Sequence, residues 1–109
     1  MRNAKNLQKF SGLLNLLFDL SKKDDNIEKI IDPVYGSISE VGRELIIINV
    51  LVKKLPTIKE FESYLLTHKI PFDKVYDGGI SPGVGFIYNS SNPRESIFVS
   101  FYHPREHYY

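Results

Sequence analysis

Glu44-Leu45-Ile46-Ile47-Ile48-Asn49-Val50-Leu51-Val52-Lys53-Lys54 is the stretch on which the fold turns. Its apolar run is rich in β-branched residues, whose stiff χ1 torsions suit a pleated, half-buried surface. Read as a strand, it puts Ile46, Ile48, Val50 and Val52 on one wholly apolar face. Leu45, Ile47, Asn49 and Leu51 form the other. A rival reading follows the 3,4 spacing of Ile38, Val41, Leu45, Ile48, Val52 and Leu55, which suits a helix from about residue 38. That helix leaves Ile46, Ile47 and Val50 pointing away from its own seam, so a strand is expected. On a central strand, a buried Asn49 amide must find partners or cost about 1–3 kcal/mol.

Upstream, the spacing predicts a helix from about Ala4 to Lys22. Leu7, Phe10, Leu13, Leu14, Leu17 and Leu20 fill one side, and Gln8, Gly12, Asn15, Asp19 and Lys22 the other. An apolar arc of about half the circumference is wider than a coiled-coil seam, which points to packing across a sheet or between two elements. Between the two, Asp24-Asp25-Asn26-Ile27-Glu28-Lys29-Ile30-Ile31 reads as an Asp-capped short helix stopped before Pro33. Val34-Tyr35-Gly36 reads as a turn or the start of a short strand.

Downstream, Thr57-Ile58-Lys59-Glu60 matches a capping box, and Ile58, Phe61 and Leu65 share a face. Pro71 closes this second helix near His68 or Lys69. The period then switches to two. Phe72 to Tyr76 is a short strand, and Val84, Phe86 and Tyr88 alternate with their neighbours, as do Ile97, Val99 and Phe101. The last two runs, joined across the polar loop Asn89 to Arg94, form an antiparallel hairpin. The expected class is α+β: an N-terminal helix, a second capped helix, and a mainly antiparallel sheet of about four strands ending in a C-terminal hairpin.

A chain of 109 residues that is 42% hydrophobic and 25% charged has room for one core, so residues 1–109 are read as a single domain. With no cysteine, disulfide frameworks, thiolate zinc sites and cysteine nucleophiles are excluded. The apolar run Leu13 to Leu20 is broken by Asn15 and Asp19, too short and too polar for a membrane span or a secretory segment. A cytoplasmic location and no membrane partner are expected. Fourteen basic residues against thirteen acidic ones leave a net charge of +1, and the lysines and arginines are dispersed. That argues against non-specific nucleic-acid binding, which needs basic residues concentrated on one face.

Two segments invite chemistry. Gly78-Gly79-Ile80-Ser81-Pro82-Gly83-Val84-Gly85 is glycine-rich, yet no Lys-Ser or Lys-Thr follows and the next element is a strand, so turn chemistry is the reading rather than a phosphate loop. The tail from Phe101 to Tyr109 gathers His103, Arg105, Glu106 and His107 beside Tyr102, Tyr108 and Tyr109. Histidines can trade protons near neutrality, and an arginine can steady a pentavalent phosphate. Helices followed by an antiparallel sheet with His, Arg and Tyr near the end resemble RelE-type ribosome-dependent RNase toxins, over the tail and the coarse element order. The resemblance implies metal-independent RNA cleavage by His103, Arg105, Glu106 and His107, although those toxins are usually far more basic. His103 and His107 have the i, i+4 spacing of a metal pair, but Pro104 argues against the helix that would bring them together, and no metal or other cofactor is expected.

Against this alternative stands a non-catalytic protein-binding domain, the preferred expectation. Seven Tyr and seven Phe exceed what a small core needs, and tyrosines enrich protein interfaces. Tyr88, Tyr102, Tyr108 and Tyr109 are the candidate contact residues along the terminal hairpin. The narrower expectation is a dedicated inhibitor, such as an immunity protein paired with a toxin. The partner is another protein; nucleic acid enters only with the RNase alternative, and nothing in the sequence indicates an oligomeric state.

Overall fold

The decisive stretch is a strand. In the computed structural model, which describes residues 4–39, 41–78, 83–88 and 96–103, Arg43–Val52 forms the ten-residue β3. Side chains are described from residue 12 onward. The element order is α1 (Ala4–Lys23), β1 (Ile27–Ile30), β2 (Val34–Ile38), β3, α2 (Ile58–Thr67), β4 (Lys74–Tyr76), β5 (Gly83–Tyr88) and β6 (Ile97–Tyr102). The α+β class, the N-terminal helix, the capped second helix and the terminal hairpin are as expected. The strand count is six rather than about four.

Of the two extra strands, β1 comes from the segment expected to be a short helix, and β2 from the stretch read as a turn or the start of a short strand. The Asp24 carboxylate accepts from the Asn26 amide at 2.9 Å, a local turn that competes with helix initiation. The chain then enters β1, and the Asn26 side chain clasps the end of β3: its Nδ2 donates to the Lys54 carbonyl and its Oδ1 accepts from the Lys54 amide. With Pro33 so near, residues 27–32 have no length for a useful helix, and Ile27, Ile30 and Ile31 suit a strand.

β1 and β2 both pair antiparallel with β3, at Val50–Val52 and at Arg43–Ile47 respectively. β6 pairs in parallel with β3 from Ile46 to Leu51, so β1 and β2 lie end to end along the opposite edge of β3, interrupted around Pro33. The path across the sheet is β1-β3-β6-β5-β4, with β2 beside β3. The mainly antiparallel expectation holds, with β3–β6 as the parallel exception.

Both helices pack on one sheet face. Leu13, Leu17 and Leu20 of α1 and Phe61 and Leu65 of α2 are buried with Ile48, Val50, Val52, Val84, Phe86, Ile97, Val99 and Phe101. The capping box of α2 is present: Thr57 accepts from the Glu60 amide, and Glu60 accepts from the Thr57 amide. At its other end, Ile70 N donates to Leu65 O and Lys69 N to Leu66 O, a Schellman closure with Lys69 at φ 57° where glycine is usual. On the second sheet face a smaller cluster joins Ile38, Leu45, Ile47, Ile87 and Phe98. No membrane-length apolar helix occurs among the described residues.

Candidate functional site

The tyrosines expected to share a patch do not. Tyr88 pairs with Ile97 and packs against the helix-side core, whereas Tyr102 pairs with Gly83 on the opposite face. They also stand at opposite ends of the hairpin, five residues or roughly 17 Å apart along the strand. Tyr108 and Tyr109 lie outside the described residues. Of the catalytic alternative, Arg105, Glu106 and His107 also lie outside them, which leaves His103. Its Nδ1 donates to the Val52 carbonyl at 2.9 Å, because a carbonyl can only accept. The bond ties the end of β6 to the end of β3. The glycine-rich stretch leads into β5 at Gly83 rather than into a helix, as the turn reading requires; residues 79–82 lie outside the described set.

A polar knot that sequence reasoning missed sits where α1 runs into β1. The Tyr64 hydroxyl donates to Asp24 Oδ2 at 2.8 Å, while the other Asp24 oxygen takes the Asn26 amide. His68, which caps α2, packs against the Tyr64 ring at a tilt of 56°, with centroids 4.4 Å apart. Burial of the Tyr64 phenol, with the Asp24 carboxylate second, holds its pKa well above the ordinary tyrosine value. A phenol so held stays protonated at neutral pH, so its chemistry here is that of a hydrogen-bond donor linking three elements.

Among the described residues, the second sheet face carries three buried polar atoms without a hydrogen-bond partner. Asn49 and Ser100 are register partners on the parallel pair, and both Asn49 Oδ1 and Ser100 Oγ are buried with no hydrogen-bond partner among the described residues. The Asn49 amide expected to need a partner thus leaves its oxygen unpaired. Arg43 donates through Nη2 to Ser96 Oγ at 2.8 Å, with its Nε also buried and unpartnered.

The surface feature with the clearest binding character is the β2 edge. Among the described residues β2 pairs with β3 alone, so its outer backbone groups face away from the sheet. Tyr35 is 68% exposed and Val34 49%. The other edge segments carry the usual guards against unwanted pairing. β1 presents exposed Glu28 and Lys29 and a register irregularity between Ile27 and Lys29. β4 is three residues long and starts on an exposed lysine. Val34-Tyr35-Gly36-Ser37-Ile38 has no charge, no proline and no bulge.

Compared with known proteins, the chain matches no family model, no curated sequence and no solved structure. The residues that mark the β2 edge, Val34 and Tyr35, fall in the part of the chain where local patterning is weakest. The one available signal was the uncharged run from Val34 to Ser39 directly after Pro33.

Proposed function

We propose that this chain is a non-catalytic protein-binding domain, with a dedicated cytoplasmic inhibitor, such as an immunity protein paired with a toxin, as the narrower reading. The observation that carries it is the uncharged β2 edge with Tyr35 and Val34 held out to solvent. Tyrosine brings large contact area at low entropic cost and a polar tip, the properties that concentrate binding energy in few residues. A free strand edge adds directional backbone donors and acceptors, the basis of strand addition to a sheet. The narrower reading draws on small size and near-neutral charge.

The test compares the whole tagged chain with its Tyr35→Ser variant as bait in an extract of the cell that makes it. A hot-spot tyrosine predicts that retention of the captured protein falls about tenfold, with unchanged circular dichroism. Equal retention by both baits overturns the assignment of this edge. Controlled induction in bacteria adds a second readout: normal growth accords with binding. Growth arrest relieved by Arg105→Ala and His107→Ala turns the assignment to the RNase alternative.

A further inference from the structure

We infer that the partner recognised by the β2 edge is a second copy of this chain, paired antiparallel through β2 about a two-fold axis at Gly36. The inference rests on the reading of β2 as a docking edge and names its occupant.

Self-complementarity of the strand carries the argument. Antiparallel pairing centred on Gly36 sets Val34 opposite Ile38 of the second copy and Tyr35 opposite its Ser37. Directly opposed residues share a face. Val34, Gly36 and Ile38 belong to the face of Leu45 and Ile47, as their register with β3 shows. Pairing Val34 with Ile38 therefore extends the apolar cluster of Ile38, Leu45 and Ile47 across the junction and covers a half-exposed valine. On the other face the large Tyr35 ring meets the small, exposed Ser37, so neither crowds the other. At the axis two glycines face each other with no side chain between the backbones, a place where glycine in a strand marks close approach.

Charge and symmetry agree with this. No residue from Val34 to Ile38 is charged and the whole chain carries +1, so two copies meet without appreciable repulsion. A two-fold contact uses one patch twice, and the guarded β1 and β4 segments limit growth from a closed pair into a filament. Five-residue strands bury less than a standard interface, so a dissociation constant on the order of 10 μM is expected.

The test is sedimentation equilibrium of the whole chain up to about 200 μM, with Val34→Lys beside it. The expected result is a mass approaching that of two chains, and a dissociation constant at least about tenfold weaker for the variant. Because the chain has no cysteine, an oxidised equal mixture of Tyr35→Cys and Ser37→Cys chains reads the register directly, and a mixed disulfide is expected. A folded protein that keeps the mass of one chain at the highest concentration overturns the inference. So does a dimer that is insensitive to Val34→Lys and gives no mixed disulfide. A one-chain mass together with Tyr35-dependent capture of a different protein overturns the second copy and leaves the binding reading standing. A one-chain mass with equal capture by both baits removes both.

Discussion

Gly85→Ala tests whether the second sheet face is packed as tightly as its geometry implies. An added Cβ at Gly85 stands 2.6 Å from Phe98 Cε2 and 2.9 Å from the Val99 carbonyl oxygen, and closer still to Phe98 Cζ. The Phe98 ring lies diagonally across the strand pair over the bare glycine and is fully buried, with Tyr76 beside it at a centroid distance of 5.9 Å. A new methyl must either push the ring off Tyr76 or shift the β6 backbone. Overpacking of this kind costs about 1–3 kcal/mol, and loss of the aromatic contact about 0.5–1.5 kcal/mol. Together they give about 1.5–4.5 kcal/mol. With an unfolding entropy of about 2.1 cal/mol/K per residue, that lowers Tm by about 7–20 °C. Thermal and urea unfolding followed by circular dichroism measure it. Phe98→Leu frees the space, so the double variant should be less destabilised than the sum of the two singles by at least about 1 kcal/mol. A Gly85→Ala protein within about 0.5 kcal/mol of wild type, or strictly additive singles, refutes the packing argument.

Three further outcomes follow from local geometry. Tyr64→Phe removes the donor to Asp24 and should cost about 1.5–3 kcal/mol at neutral pH by urea unfolding, the range for a hydrogen bond to a charged group. Because the Tyr64 pKa is raised in the folded chain, the unfolded chain releases that proton first, so stability is fully present below about pH 10 and declines as pH rises beyond it. That alkaline decline should be shallower in Tyr64→Phe, and identical slopes would count against a buried phenol. Ser100→Ala deletes an unpaired buried hydroxyl and should be neutral or stabilising by up to about 2 kcal/mol; a loss above about 1 kcal/mol in denaturant melts means that the hydroxyl has a partner in solution. Lys69→Gly relieves a left-handed backbone at the Schellman closure of α2 and should raise stability by about 0.5–1 kcal/mol in the same melts, whereas a decrease would show that the lysine contributes something beyond its backbone conformation.

What was legible in the sequence is what local chemistry encodes strongly. α1 follows from an apolar arc over five turns, and α2 from a capping box whose two reciprocal bonds are present. The competition between strand and helix at β3 was decided by β-branching, because three consecutive isoleucines need two apolar faces and the sheet supplies both. β1 escaped notice because Asp24 serves equally well as a helix cap and as a turn former, and only the pairing partner distinguishes them. The parallel β3–β6 pair has no local signature at all. The placement of the tyrosines, by contrast, was within reach. The same alternation that defined the hairpin sets Tyr88 in phase with Phe86 and Ile97, and Tyr102 with Phe98 and Ser100, so one shared patch was never available to both. The β2 edge was legible as composition but not as position, since exposure of Tyr35 depends on β2 being outermost.

The central place of β6 has a kinetic consequence. Two antiparallel units, β1–β2–β3 and β4–β5–β6, are each assembled from neighbours in sequence, but they join where Ile46 meets Ile97, about fifty residues along the chain. That junction closes a large loop before it gains any contact, so it should be the slow step of folding. As the chain is synthesised, β6 emerges after every other described strand, and until it docks β3 keeps its flank from Ile46 to Leu51 open. Each chain therefore passes through an interval in which β3 offers its neighbours an open strand, one that vanishes on completion. Slowing synthesis just before Ile97 should lengthen that interval and favour aggregation over the native sheet.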